Sequence, residues 1–117
     1  MFRALKETDK YERSQTHYWL TQGDSCTITA KPYKNGEAVD VSKISKCIFK
    51  LASIGYEKEF EKELELVSDH FVLKLTHEDT SSWSVGSHLY EIEYVMADGD
   101  VQTPHSWKFD ILNQISG

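Results

Sequence analysis

The block Gly23-Asp24-Ser25 is the first place in the sequence where a nucleophile could stand. A serine there would need a histidine base and a carboxylate to orient it. Esterases that carry their nucleophile in such a block also have a later Asp-x-x-His, whereas Asp100 and His105 have the wrong spacing. The block therefore reads as a turn whose Asp and Ser hydrogen-bond the backbone ahead of a strand, and no catalytic residue is assigned. The histidines, His17, His70, His77, His88 and His105, form neither HxH nor HExxH. His77-Glu78-Asp79 reads as an acidic surface turn before it reads as a hard-cation site. Cys26 and Cys47 lack CxxC spacing, and they enclose a stretch that is short and without Trp, unlike an immunoglobulin-type bridge. Buried free thiols are the expectation, with no metal and no cofactor.

The remaining pattern with chemical content is a row of carboxylates: Glu57, Glu59, Glu61, Glu63 and Glu65 occupy every second position. On a strand, alternate residues share a face about 6.5–7 Å apart, so the five would form a line roughly 27 Å long. The same segment has a helical reading, because Tyr56, Phe60, Leu64 and Val67 fall at helical spacing and Glu and Lys favour helices. The strand is favoured by the short strand-like segments on either side. A carboxylate row of this kind is either a solvated face or a surface for a basic partner. Tyr18, Trp19, Tyr33 and Tyr56 are candidate sugar-stacking platforms, with core packing as the plainer use.

The alternation along the segments that carry these groups is that of strands. Cys26, Ile28 and Ala30 alternate with Thr27, Thr29 and Lys31; Cys47, Phe49 and Leu51 do so after Lys46; Phe71 to Leu75 is another strand. Asn35-Gly36 suits a two-residue hairpin turn, pairing Pro32 with Val39 and Ala30 with Val41. Asp98-Gly99 used in the same way pairs Met96 with Val101, Tyr94 with Thr103, Ile92 with His105 and Tyr90 with Trp107. His105 then lies on the core face, as a hydrogen-bonded structural histidine. His77 to Trp83 suits a single helical turn. The prediction is an all-β, immunoglobulin-like antiparallel sandwich of about seven strands over residues 17–117. A polar arm or short helix over residues 1–16 precedes it. The formal charge of −6, without a Lys/Arg cluster, argues against nucleic acid. No apolar run approaches the ~18 residues of a membrane span, and the N-terminus lacks a secretory apolar region, so synthesis in a cytoplasm is expected.

The order of signals has a likeness. Gly23-Asp24-Ser25-Cys26-Thr27-Ile28 enters a strand, Gly36 to Val41 carries Gly-x-x-Val-Asp-Val, and Phe49 to Leu51 is Phe-x-Leu. Leu75-Thr76 and Asp79-Thr80 follow, then Gly86 before Tyr90-Glu91-Ile92, then the Asp-Gly hairpin. Over roughly residues 18–112 this resembles the N-terminal sandwich domain of the baseplate upper protein family of tailed bacteriophages and related small phage structural proteins. The resemblance implies a non-enzymatic module of a phage or prophage virion, in the tail, baseplate or fibre attachment, made in the bacterial host cytoplasm. Its partners would be other virion proteins and further copies of itself, with Glu57, Glu59, Glu61, Glu63 and Glu65 meeting a basic neighbour. Those proteins are longer, so a free-standing relative or a small accessory virion protein is expected. The alternative is a small carbohydrate-binding or adhesive sandwich.

Overall fold

The computed structural model describes residues 11–114. The expected arm at 1–16 lies partly outside that range. Its described part, 11–16, is fastened to the domain: Glu12 N–H donates to Tyr33 O at 2.7 Å, and Ser14 N–H to Pro104 O at 2.7 Å. The Tyr11 hydroxyl reaches Met96 Sδ at 3.2 Å. Residues 11–16 thus form a strap across the domain, and the boundary at residue 17 moves towards the N-terminus.

The strands are β1 (Tyr18–Thr21), β2 (Cys26–Ala30), β3 (Tyr33–Lys34), β4 (Glu37–Ala38), β5 (Ile44–Ser53), β6 (Lys58–Val67), β7 (His70–Leu75), β8 (Gly86–Met96) and β9 (Val101–Leu112). One short helix, α1 (His77–Ser81), lies between β7 and β8. It is the single helical turn expected there, closed by a capping box in which Thr76 and Asp79 satisfy each other's backbone N–H groups.

Seven strands make one sheet in the order β1-β9-β8-β5-β6-β7-β2, and β3-β4 is a separate hairpin. All pairs are antiparallel except β1 with β9. The sheet folds over along β6, whose first part pairs with β5 and whose last three residues, Glu65 to Val67, pair with β7. The result is a two-layer sandwich with the core between the layers. Phe49 sits in the middle, with ring centroids 6.4 Å from Trp83, 6.0 Å from Tyr90 and 6.1 Å from Phe109. Each such pair contributes about 0.5–1.5 kcal/mol beyond the area it buries.

Residues 58–67 are strand despite their helix-favouring composition. Across the sheet, Leu51 meets Phe60 and Cys47 meets Leu64, and burying those side chains against β5 outweighs the small per-residue helix preference. The two hairpins differ from expectation in instructive ways. Asn35 (φ 56°) and Gly36 (φ 78°) make the two-residue turn, and Val39 N–H donates to Pro32 O. The ladder stops there, because Asp40 caps a 3-10 turn over Val41–Lys43 and Ala30 pairs instead with Phe71.

In the second hairpin the loop has three residues, Ala97-Asp98-Gly99, with Gly99 at φ 96° and Met96 N–H donating to Asp100 O. That shifts the register by one, so Tyr94 meets Gln102 and Val95 meets Val101, not the expected Thr103 and Met96–Val101 pairs. A bulge between Gln102 and His105 shifts it back, and Ile92–His105 and Tyr90–Trp107 pair as expected. The bulge contains Pro104, which has no N–H for a ladder; its carbonyl serves the strap instead.

Candidate functional site

The glutamate row does not survive as a row. Ala52 pairs with Lys58 and Leu51 with Phe60, so Glu59 is an extra, unpaired residue in β6. Such a bulge reverses the inside–outside parity of everything before it. Lys58, which alternates with the row, pairs with Glu61 at 3.2 Å on the outside, and Glu59 turns inward. Glu57 precedes the strand, and Glu65 pairs with Val72 in the other layer. Only Glu61 and Glu63 remain together on the outer face of the layer that contains β5.

Two carboxylates from β8 join them. Lys50 on β5 pairs with Glu61 on one side and Glu91 on the other, and Ile48 pairs with Glu63 and Glu93 in the same way. The patch is therefore two short acidic columns flanking Lys50 and Ile48. The Lys50 ammonium bonds Glu93 at 3.0 Å and is held above the ordinary lysine range by that bond, and further by Glu91 and Glu61. Among the described residues, Glu63 and Glu91 have no ion-pair partner. Glu91 and Glu93 alternate with the buried Tyr90, Ile92 and Tyr94 of β8; their membership in the patch depends on β5 lying between β8 and β6.

Glu59 has a different task. Its carboxylate accepts the Ser84 N–H, the Ser84 hydroxyl at 3.0 Å and His88 Nε2 at 3.0 Å. His88 is 1% exposed, and its Nδ1 donates to the Gly86 carbonyl at 2.9 Å. Burial pushes the Glu59 carboxyl up, but the Ser84 donors and His88 outweigh it and hold the group below its usual range. A serine, a histidine and a carboxylate thus meet, but in an order unlike an acyl-transfer triad. There the carboxylate grips the imidazole nitrogen opposite the one facing serine. Here Ser84 and Glu59 share Nε2, and the opposite nitrogen faces a main-chain carbonyl. The arrangement ties the 82–86 loop to the bulge of β6.

Gly23-Asp24-Ser25 is a turn, held through the main chain and not through its Asp and Ser side chains. Asp24 N–H donates to Thr21 O at 2.9 Å, and Thr80 Oγ1 donates to Asp24 O at 2.8 Å. His105 is hydrogen-bonded to the Tyr94 hydroxyl at 3.0 Å, and burial lowers its pKa. His77 bonds Gly23 O, and Asp79 is taken by Lys62 at 2.7 Å and by its cap. No cluster of three or more His, Cys, Asp or Glu suited to a metal occurs among the described residues. Both cysteines are free; Cys47 is fully buried and Cys26 half-buried, and burial raises both thiols. The four candidate platforms are dispersed. Tyr56 lies on the turn before β6, 81% exposed. Trp19 is 63% exposed and stacked at 3.9 Å on His17, which bonds Asp110 at 2.8 Å. Tyr18 and Tyr33 line one cleft.

No family model and no curated protein matches this sequence. Among solved structures the chain is similar to the fibronectin(III)-like modules of Clostridium thermocellum CbhA, at 16% identity and a TM-score of 0.51, over 91% of this chain and 98% of that one. CopC from Methylosinus trichosporium OB3b aligns at 11% identity, over 91% and 89% of the two chains, with a TM-score of 0.48. Extracellular domains 3–5 of Drosophila OTK align at 11% identity, over 97% of this chain and 37% of that one, with a TM-score of 0.43. The CbhA likeness shows the fold alone: an immunoglobulin-like, fibronectin(III)-like β-sandwich.

Proposed function

We propose that this chain is a non-catalytic assembly module of a phage or prophage virion, joined to a basic neighbour through the outer face carrying Glu61, Glu63, Glu91 and Glu93. The observation that carries the reading is that patch: two acidic columns on rigid strands, with Glu63 and Glu91 unpaired among the described residues. Charges fixed on a sheet steer a complementary surface and fix its register, and their effect weakens with salt. The wiring of Ser84, His88 and Glu59 supports a non-enzymatic role, since the carboxylate crowds the same imidazole nitrogen as the serine instead of gripping the opposite one. The sequence resemblance supplies the virion context. Copies of the chain associate symmetrically, which would also cover the edge strands β1 and β2.

The test is mass spectrometry of phage particles purified from the induced source bacterium. The chain should be present in stoichiometric amount. The double variant Glu63→Gln/Glu91→Gln should fold normally and be incorporated less, most clearly at low salt. Particles that lack the chain would refute the virion role, and undiminished incorporation of the variant would refute the acidic face as its contact.

A further inference from the structure

On the opposite side of that layer from the acidic patch, a cleft of about 310 Å³ opens between the strap and the end of β2. Its floor is Tyr90, Ile92 and His105, all on the inner face. Tyr18, half-buried, and Tyr33, exposed, also line it. This volume is at the lower end of the ~300–1,000 Å³ range of small-molecule sites, which limits an occupant to one or two sugar-sized rings.

The walls are prepared for a flat polar ring. Tyr18 is held by an edge contact to Tyr90 at 5.3 Å and by Phe109 at 5.5 Å, so its ring is fixed before any ligand arrives. Tyr33 is 39% exposed, and the Lys31 ammonium sits 5.9 Å from its ring centre, anchored in turn to Asp69 at 2.8 Å. Polar groups from both sides line the cleft: Glu12 and Arg13 from the strap, Thr29 from β2 and Lys31 just after it. Charges of both signs suit hydroxyl groups, which donate and accept, better than they suit a phosphate or a cation. Of β2 the cleft reaches only Thr29 and Ala30, which disfavours an extended peptide that would need the whole strand edge.

We propose that this cleft is a binding site for a neutral saccharide, with Tyr33 and Tyr18 as the stacking surfaces and Glu12, Arg13 and Thr29 as hydrogen-bonding partners for its hydroxyls. The site is independent of the acidic face, and either can fail without the other.

The experiment is an amide NMR titration of the full chain with glucose, galactose, N-acetylglucosamine and the disaccharides cellobiose, lactose and chitobiose. At least one sugar should give saturable millimolar shifts confined to residues 12–18 and 29–33. Loss of one stacking ring in Tyr33→Ala should weaken that sugar about tenfold. Tyr33→Phe should retain binding, and Glu63→Gln/Glu91→Gln should leave it unchanged. A threonine- and valine-rich extended peptide serves as the competing probe. Absence of saturation by every sugar overturns the proposal. So do shifts centred on Trp19, undiminished binding by Tyr33→Ala, or saturation of these resonances by the peptide alone.

Discussion

Replacing Glu59 with Gln separates the bulged structure from a simple row of surface carboxylates. In a row, Glu59 would be as dispensable as Glu61, whose side chain is 43% exposed; surface changes of that kind shift stability by about 0.5 kcal/mol or less. In the folded protein, Glu59 accepts three hydrogen bonds, one of them from His88, which is 1% exposed. Gln keeps the volume and one acceptor but places an amide donor against a donor set and removes the charge facing the imidazole. Hydrogen bonds to a charged group contribute about 1.5–3 kcal/mol, and a buried donor left unsatisfied costs about 1–3 kcal/mol. With these bonds altered and the Glu59 side chain 20% exposed, the loss is about 2–3 kcal/mol. At roughly 2.1 cal/mol/K of unfolding entropy per residue, this lowers Tm by about 8–12 °C. Urea denaturation followed by tryptophan fluorescence and by circular dichroism, for Glu59→Gln beside Glu61→Gln, measures the difference. Equal midpoints for the two variants would refute the inward-turned Glu59.

The thiols offer a second check: with Cys47 fully buried and Cys26 half-buried, native protein should react with a disulfide reagent slowly and at Cys26 first, while urea should release both; rapid labelling of Cys47 would contradict the core. Acid should destabilise in two stages. His105 is held neutral by burial, below its ordinary value of 6.5, so its contribution is present above that value and lost as pH falls through the depressed one. Glu59, Asp79 and Asp110 are all held below the carboxylate range, so their contributions are present above about pH 4 and lost below it. Urea midpoints measured from neutral to acid pH should fall gently at first and then steeply, and Glu59→Gln should shallow the second stage. Gly99→Ala, which places a side chain at φ 96°, should cost about 1 kcal/mol, whereas Asp98→Ala should cost less; equal effects would contradict the three-residue loop.

Period-two alternation in Cys26 to Ala30, Cys47 to Leu51 and Tyr90 to Met96 was enough to identify strands, because burying one face of a sheet imposes it on the sequence. Asn35-Gly36 declared its own turn, since left-handed backbone at both positions is a local demand that few residue pairs meet. The inner-face position of His105 and the pairing of Ile92 with it were legible for the same reason.

Element type, apolar faces and sandwich class could be read locally, because all arise from side chains within a few positions of one another. Where the extra residues fall could not. A bulge at Glu59 answers the needs of Ser84 and His88, which lie 25 and 29 residues further along the chain. A bulge at Pro104 answers the strap at Ser14. A one-residue slip reverses a strand's faces, so these long-range contacts settled which glutamates point outward. Strand order, which no local pattern encodes, placed Glu91 and Glu93 on the same outer face as Glu61 and Glu63, and Tyr18 and Tyr33 around one cleft.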